Sequence, residues 1–303
     1  MSKEKTPLVS IVVPSLNQGR FIEHTLRSIV EQSYNRWELI VIDGGSTDGT
    51  LDVIERYQHH IHYWVSEPDK GQADAIQKGL DVANGQIFNW INSDDCLAPG
   101  ALEVIAGALG DNDLLAGTTV NFSATSRFRT ISRNIDAWSL IADGLGSKCS
   151  WHQPALWVRT DKLRSIGGID TTMDYRFDLD LYVRYLVRYP RVVYTSDVLA
   201  YFRIHPDSKT STSQTSFRRE HYQVIEKLRN NSLSSVGTLQ VERLLRSMRW
   251  KDRLVDIMLG AKGRRLRAVR LILSEALSEP WRITNRYTRR YLRRLLFRRN
   301  LKH

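Results

Sequence analysis

Ile87-Phe88-Asn89-Trp90-Ile91-Asn92-Ser93-Asp94-Asp95 is the stretch that decides the fold of this chain. Its first five residues are rich in aromatic and β-branched side chains and follow the helix-ending pair Asn84-Gly85, so they read as an interior strand of an α/β sheet. Two adjacent carboxylates, Asp94 and Asp95, emerge where that strand ends, and α/β sheets collect their ligands at strand C-termini. Hard divalent cations such as Mg2+ and Mn2+ favour carboxylate oxygen and bridge to substrate phosphates. The pair therefore reads in one of two ways. It is a metal and phosphate site, or it is a polar turn in which Asp94 or Asp95 caps the helix beginning near Pro99.

Working outward, residues 8–13 give a strand ended by Pro14, and Ile22, Leu26, Ile29 and Val30 recur at helical spacing. A strand at 37–42 closes on Asp43-Gly44-Gly45-Ser46-Thr47-Asp48-Gly49, a helix carries Leu51, Ile54 and Tyr57, and a strand follows at 61–65. A helix over 72–83 leads into the Ile87 strand. This alternation predicts a mostly parallel, helix-flanked sheet. Beyond Asp95 the reading is strand at 114–122, exposed loop at 123–135, strand at 155–158, helix at 179–188 and strand at 192–202. The Ser- and Thr-rich segment 206–216 marks a linker, and the chain from 217 onward reads as helix. The expected domains are 1–213 and a helical, basic C-terminal region, 214–303.

The 303 residues suffice for a large α/β domain with an appendage. Cys96 and Cys149 are too few for a metal cage and point to a reducing compartment. The charged first residues lack a signal-peptide core and no stretch has the apolar length of a membrane span, so a cytoplasmic protein is expected. The net charge of +11 lies entirely in the tail: residues 262–303 carry 14 Lys or Arg and two acids, while the rest carries 30 basic and 31 acidic side chains.

Five segments in order resemble family 2 glycosyltransferases of the GT-A fold, of the type that builds cell-surface polysaccharide or lipopolysaccharide. They are Val12-Val13-Pro14-Ser15-Leu16-Asn17, the turn from Val41 to Thr50, Asn92-Ser93-Asp94-Asp95, Gly167-Gly168-Ile169-Asp170 and Phe177-Asp178-Leu179-Asp180-Leu181. The resemblance covers roughly residues 8–210. It implies an inverting enzyme that uses a nucleoside-diphosphate sugar donor, a Mg2+ or Mn2+ cofactor and a glycan or polyprenyl-diphosphate-linked acceptor. Pro14, Ser15 and Asn17 would line the nucleotide pocket, with Asp43 near the base or ribose. Gly44 stands where many members have a second acid that contacts uracil. Lys70 contacts the base or phosphates, or is an exposed loop lysine.

In the carboxylate segment, Asn92 replaces the usual first acid and either hydrogen-bonds the ribose or orients the loop. Asp94 would sit by the ribose or metal, and Asp95 would be the main metal ligand. Asp178 matches the family's general base, with Asp180 supporting the helix. Arg203-Ile204-His205-Pro206-Asp207-Ser208-Lys209-Thr210 resembles a stretch whose histidine joins the metal shell or contacts diphosphate, which makes His205 and Lys209 donor-site candidates. His152-Gln153 shapes the acceptor pocket or is structural.

In the tail, Leu266, Val269, Leu273, Ala276 and Leu277 share one helical face, and Tyr287, Tyr291, Leu292 and Leu295 another, with arginines between. Such helices lie on an anionic membrane, pack on the catalytic domain, or bind nucleic acid. The reading adopted is a peripheral enzyme at the inner face of the cell membrane that binds no nucleic acid. A non-catalytic nucleotide-sugar-binding or scaffold protein of the same fold is the alternative.

Overall fold

The computed structural model describes residues 6–142, 148–209, 214–230, 237–261 and 263–297. Strand β1 (Val9–Ser15) is buried at every position and β2 (Trp37–Asp43) at all but its first, so both carry apolar side chains to two covered faces. Double burial is the condition of a parallel strand flanked by helices. β3 (Tyr63–Ser66) pairs parallel with β2, β2 with β1, and β1 with β4 (Ile87–Trp90). The connecting helices are α1 (Ile22–Val30), α2 (Thr50–Tyr57) and α3 (Gln72–Val82). α3 lies so close to β1 that a Cβ at Gly79 would stand 2.5 Å from Val12 Cγ1.

Past β4 come β5 (Cys96–Leu97), α4 (Ala101–Ala108), β6 (Leu114–Phe122), β7 (Arg127–Ile131), α5 (Ala137–Ile141), β8 (Leu156–Arg159), α6 (Thr160–Ser165), α7 (Phe177–Arg188) and β9 (Val192–Arg203). The strands join in the order β3-β2-β1-β4-β8-β6-β9-β5, with β7 paired to β6. The parallel arrangement belongs to the first four strands. Beyond β4 only β6 and β9 run parallel, and the other pairs are antiparallel. β7 falls inside the segment read as loop, because Arg127, Phe128 and Arg129 are all exposed and leave no apolar alternation to read.

β5 begins six positions after β4 ends, yet it stands at the far end of the strand order. Residues 92–95 therefore run from the interior strand β4 to the edge strand β5 of a curled sheet. Ile11, Val13, Leu26, Leu39, Ile54, Leu102 and Trp157 form part of the fully buried core beneath it, each contributing roughly 1.5–3 kcal/mol.

The chain divides into two compact units near residue 235. α8 (Gln214–Arg229) belongs to the first: its Lys227 pairs with Asp170 at 2.5 Å and Asp180 at 3.1 Å, and its His221 meets the Ile141 carbonyl at 2.8 Å. The unit thus runs past the boundary expected at 213, and residues 210–213 of the expected linker lie outside the described residues. The second unit is helical: α9 (Thr238–Gly260), α10 (Arg265–Leu277), α11 (Pro280–Thr284) and α12 (Arg286–Phe297). Val241, Leu245, Met248, Trp250 and Leu254 of α9 are buried, and Trp250 Nε1 donates to Thr288 Oγ1 of α12 at 2.8 Å.

Candidate active site

Four elements fix residues 92–95 where they leave β4. Thr25 Oγ1 of α1 lies 2.9 Å and 2.6 Å from the carbonyl oxygens of Ser93 and Asp95, which share its proton. Ser93 Oγ donates to the Pro14 carbonyl of β1 at 3.0 Å. Gln72 Nε2, at the start of α3, donates to Asn92 Oδ1 at 2.7 Å, and Asn92 Nδ2 donates to Asp95 Oδ2 at 3.2 Å. From β9, the Arg203 N–H donates to Asp95 Oδ1 at 2.8 Å and Arg203 Nε to the Asp94 carbonyl at 2.9 Å. Antiparallel pairing of Cys96 with Tyr201 brings that strand end within reach.

Asp95 is buried with both carboxylate oxygens occupied. Burial, then the charge of Asp94 beside it, pushes its carboxyl well above the ordinary carboxylate value. Asp94 differs: its Oδ2 lies 2.9 Å from His205 Nε2, and the two side chains remain 21% and 11% exposed. The contact between them is a hydrogen bond, and of the two groups the carboxylate oxygen is the one that suits Mg2+ or Mn2+. Of the expected metal set Asp95, Asp94 and His205, the structure pairs the last two and turns Asp95 to Asn92 and Arg203. Among the described residues, no group of three or more His, Cys, Asp or Glu side chains is arranged to hold a metal.

On the β1 and β2 side, Asp43 is fully buried and commits its carboxylate to the turn after β2. Its Oδ2 accepts from the N–H of Gly45 (3.1 Å), the N–H of Ser46 (2.8 Å) and Ser66 Oγ (2.7 Å), and its Oδ1 accepts from Ser46 Oγ (2.5 Å). It holds the turn that sequence reading placed against a base or ribose. Asn17, at φ 54°, joins the first two loops: its N–H donates to Ser46 Oγ at 2.7 Å and its Oδ1 accepts the Thr47 N–H at 2.9 Å. Pro14 and Ser15 are buried, and Ser15 Oγ has no hydrogen-bond partner among the described residues. A Cβ at Gly44 would stand 2.8 Å from Asp69 Oδ2, so the Asp69 carboxylate fills the side-chain space that Gly44 leaves open. The Gly71 N–H donates to Asp69 Oδ1 at 2.8 Å and keeps it there. Lys70 is exposed, with its backbone N–H on Asp74 Oδ2 at 3.1 Å.

The third side is the first turn of α7. Asp178 is half-buried and accepts the Leu179 N–H at 2.7 Å. An aromatic cluster lies beside it: Trp90 meets Phe177 and Tyr182 with ring centroids 6.0 Å and 6.3 Å apart, and Trp151 meets Tyr182 edge-on at 5.7 Å. Burial raises the Asp178 carboxyl above the ordinary value, opposed by the Arg176 guanidinium. The loop entering α7 hangs on Glu220 of α8, whose buried carboxylate accepts the N–H groups of Asp174 (3.2 Å), Tyr175 (2.8 Å) and Arg176 (2.8 Å). Lys209 Nζ donates to the Asp174 carbonyl at 2.8 Å and lies 3.5 Å from Gln72 Oε1. His152 Nδ1 sits 3.1 Å from Thr119 Oγ1, and burial holds its imidazole below the usual value.

The profile of the family described as Glycosyl transferase family 2 matches residues 10–162, half of the chain. The chain belongs to glycosyl transferase family 2. A putative teichuronic acid biosynthesis glycosyltransferase of Bacillus subtilis, TuaG, is 40% identical over 92 residues, a match that spans 29% of this chain and 36% of that relative. The fold is that of solved GT-A glycosyltransferases. S. aureus TarS 1–349 in complex with UDP-GlcNAc superposes with a TM-score of 0.63 at 16% identity, over 78% of this chain and 70% of that 1–349 chain. The mannosyltransferase PcManGT of Pyrobaculum calidifontis, in complex with GDP-Man and Mn2+, gives 0.59 at 19% identity over 97% and 88% of the two chains.

For this family 2 chain the structure gathers Asn92, Asp94, Asp95 and His205 into one cluster, and the link from Lys209 through Gln72 to Asn92 reaches the loop that leads to Asp178. Pro14, Ser15, Asn17 and Asp43 form the neighbouring strand ends. Sequence reading missed Asp69 and Glu220. The absent acid at Gly44 was a usable signal for the first, since a carboxylate missing from one loop invites a search of the next. Glu220 gave none, because a glutamate on a polar helix is unremarkable until the helix docks.

Proposed function

We propose that this family 2 glycosyltransferase moves a sugar from a nucleoside-diphosphate sugar to a hydroxyl of a glycan or lipid-linked acceptor, inverting the anomeric carbon. The observation that carries the reading is the tie between two chemistries. Asp94 and His205 meet side chain to side chain at the end of β4, and the hydrogen-bonded path through Asn92, Gln72 and Lys209 runs from their loop to the segment presenting Asp178.

In this reading Asp178 takes the proton of the acceptor hydroxyl as its oxygen bonds to the anomeric carbon. The bond from that carbon to the phosphate oxygen breaks, and its electron pair leaves on the nucleoside diphosphate. Burial makes Asp178 a stronger base than a solvated aspartate, which suits that role. Asp94 and His205 would hold a Mg2+ or Mn2+ ion, which when bound supplies Lewis-acid stabilisation of the diphosphate charge. Asp95 stiffens the loop beneath Asp94. Asp69, seated at Gly44, supports a base that presents a ring N–H donor, as uracil and guanine do. The relative TuaG supports cell-surface polysaccharide assembly as the setting, and the place proposed for the enzyme is the inner face of the membrane.

A thermal-shift panel of UDP, GDP, CDP and ADP with and without Mn2+ tests the donor side. Stabilisation that requires both one nucleotide and the ion, and that disappears in Asp94→Ala and His205→Ala, is expected. Equal shifts without the ion, or none with any nucleotide, would overturn it.

A further inference from the structure

The second unit carries eight of the fifteen large apolar side chains that are exposed among the described residues. Helix α10 concentrates them. Ala268, Ile272 and Ala276 form its buried face, and Leu266, Leu273 and Leu277 stand outside at 83%, 43% and 70% exposure. Offsets of seven and eleven residues put these leucines on one side of a 3.6-residue helix, with Arg270 between them at an offset of four. The apolar face expected from sequence is therefore divided: Ala276 packs inward with Ile272, Val269 is half-buried, and the leucines form a separate outward stripe. The second expected face is largely covered, since Tyr287 and Leu295 of α12 are buried and Tyr291 and Leu292 half-buried.

The exposed charge of this unit is mostly basic. Arg267 and Arg270 are exposed on α10, and its only acid, Glu275, is engaged by Arg253 with Nε 2.9 Å from Oε2. Opposite the buried face of α12, Arg289, Arg290, Arg293 and Arg294 are exposed, and among the described residues none of them forms an ion pair. Residues 236–303 hold 19 basic and five acidic side chains. Leucines that insert beside arginines that stay at the surface match a layer whose interior is hydrocarbon and whose face is anionic. Nucleic acid would use the arginines and leave the leucines in water, and a second copy would bring like charges together.

We propose that the outward stripe of α10, Leu266, Leu273 and Leu277 with Arg270, is the surface by which this protein docks on an anionic lipid bilayer. The proposal goes beyond the catalytic reading and is tested without any transfer assay.

Sedimentation of the full chain with vesicles of phosphatidylcholine alone, or with about one third phosphatidylglycerol, gives the answer, with thermal unfolding of each variant measured alongside. The full chain should pellet with the anionic vesicles and stay in solution with the neutral ones. Leu266→Ser/Leu273→Ser/Leu277→Ser should weaken vesicle binding roughly tenfold or more at an unchanged melting temperature. Arg289→Gln/Arg290→Gln/Arg293→Gln/Arg294→Gln should weaken it comparably and flatten its salt dependence. Unchanged binding by the leucine variant overturns the proposal, as do equal binding to neutral vesicles and no binding to either. A leucine variant that melts lower, or that turns a dimer into a monomer in light scattering, also overturns it, because the stripe would then be an internal or self-association contact. Retention on RNA that survives the leucine substitutions, with no vesicle binding, would assign the charge to nucleic acid instead.

Discussion

Asp178 and Asp69 show how single side chains are set by their surroundings. Burial raises the Asp178 carboxyl and Arg176 opposes the rise, so the acid limb of nucleotide-sugar turnover, followed as release of nucleoside diphosphate with pH, should lie above the ordinary carboxylate range. Arg176→Met removes the opposing charge and should move that limb to still higher pH; a limb that stays put or falls would remove Asp178 from the rate law. Asp69 Oδ2 occupies the place of a side chain at residue 44. Gly44→Asp should therefore collide with it and weaken donor binding, while Gly44→Asp combined with Asp69→Ala returns one carboxylate to the site and restores affinity. Asp69→Asn alone should cost about tenfold in affinity for a base with a ring N–H donor, and calorimetry with UDP, GDP and CDP distinguishes this from a general loss. The carboxylates of this site were legible at the residue scale, since Asp94, Asp95 and Asp178 stand in recognisable segments. His205 was read from its own segment as a candidate beside Asp94, a contact that spans 111 positions, whereas Glu220, which holds the loop before Asp178, carried no local pattern.

At the scale of elements, the readable parts were those whose side chains are covered on both faces. β1, β2 and β4 are mostly apolar and buried almost throughout, as strands covered on both faces are. β5 has two residues and β7 is exposed, so neither carries a periodic signal, yet β5 decides the site by pairing with β9. α8 was assigned to the tail because the Ser- and Thr-rich segment 206–216 reads as a linker, whereas Glu220 and Lys227 make it a brace for the first unit. Glu220→Gln weakens three N–H contacts on the loop before Asp178 and should cost about 2 kcal/mol of stability. It should also lower turnover more than it raises the apparent KM for donor; a variant as active and as stable as wild type would deny the brace. Asp170 is held at about 2 by Lys227 and Thr172 against the cost of burial. A depressed carboxyl stabilises the fold above its unfolded value near 3.8 and loses that contribution as pH falls toward 2. Lys227→Met should reduce stability by roughly 1 kcal/mol at neutral pH, allowing for solvent screening, and by less near pH 2.5 in urea unfolding.

Across the whole molecule, charge and chemistry are separated. Residues 1–235 hold 25 basic and 28 acidic side chains, and the strong positive charge belongs to the helical unit that follows. Within the first unit the curled sheet divides the labour again. Its parallel half builds the strand ends around Asp43, Asp69 and residues 92–95, while α7 and α8 present Asp178 from a separately braced loop. In the proposed reading Asp178 acts on the acceptor, so its loss should spare donor binding. The decisive measurement is made on Asp178→Asn in the full chain: donor affinity by calorimetry with Mn2+, and release of nucleoside diphosphate from the same donor. The account predicts affinity within about twofold of wild type and turnover reduced by about 10²–10⁴-fold. Retained turnover, or affinity and turnover lost together, would contradict it.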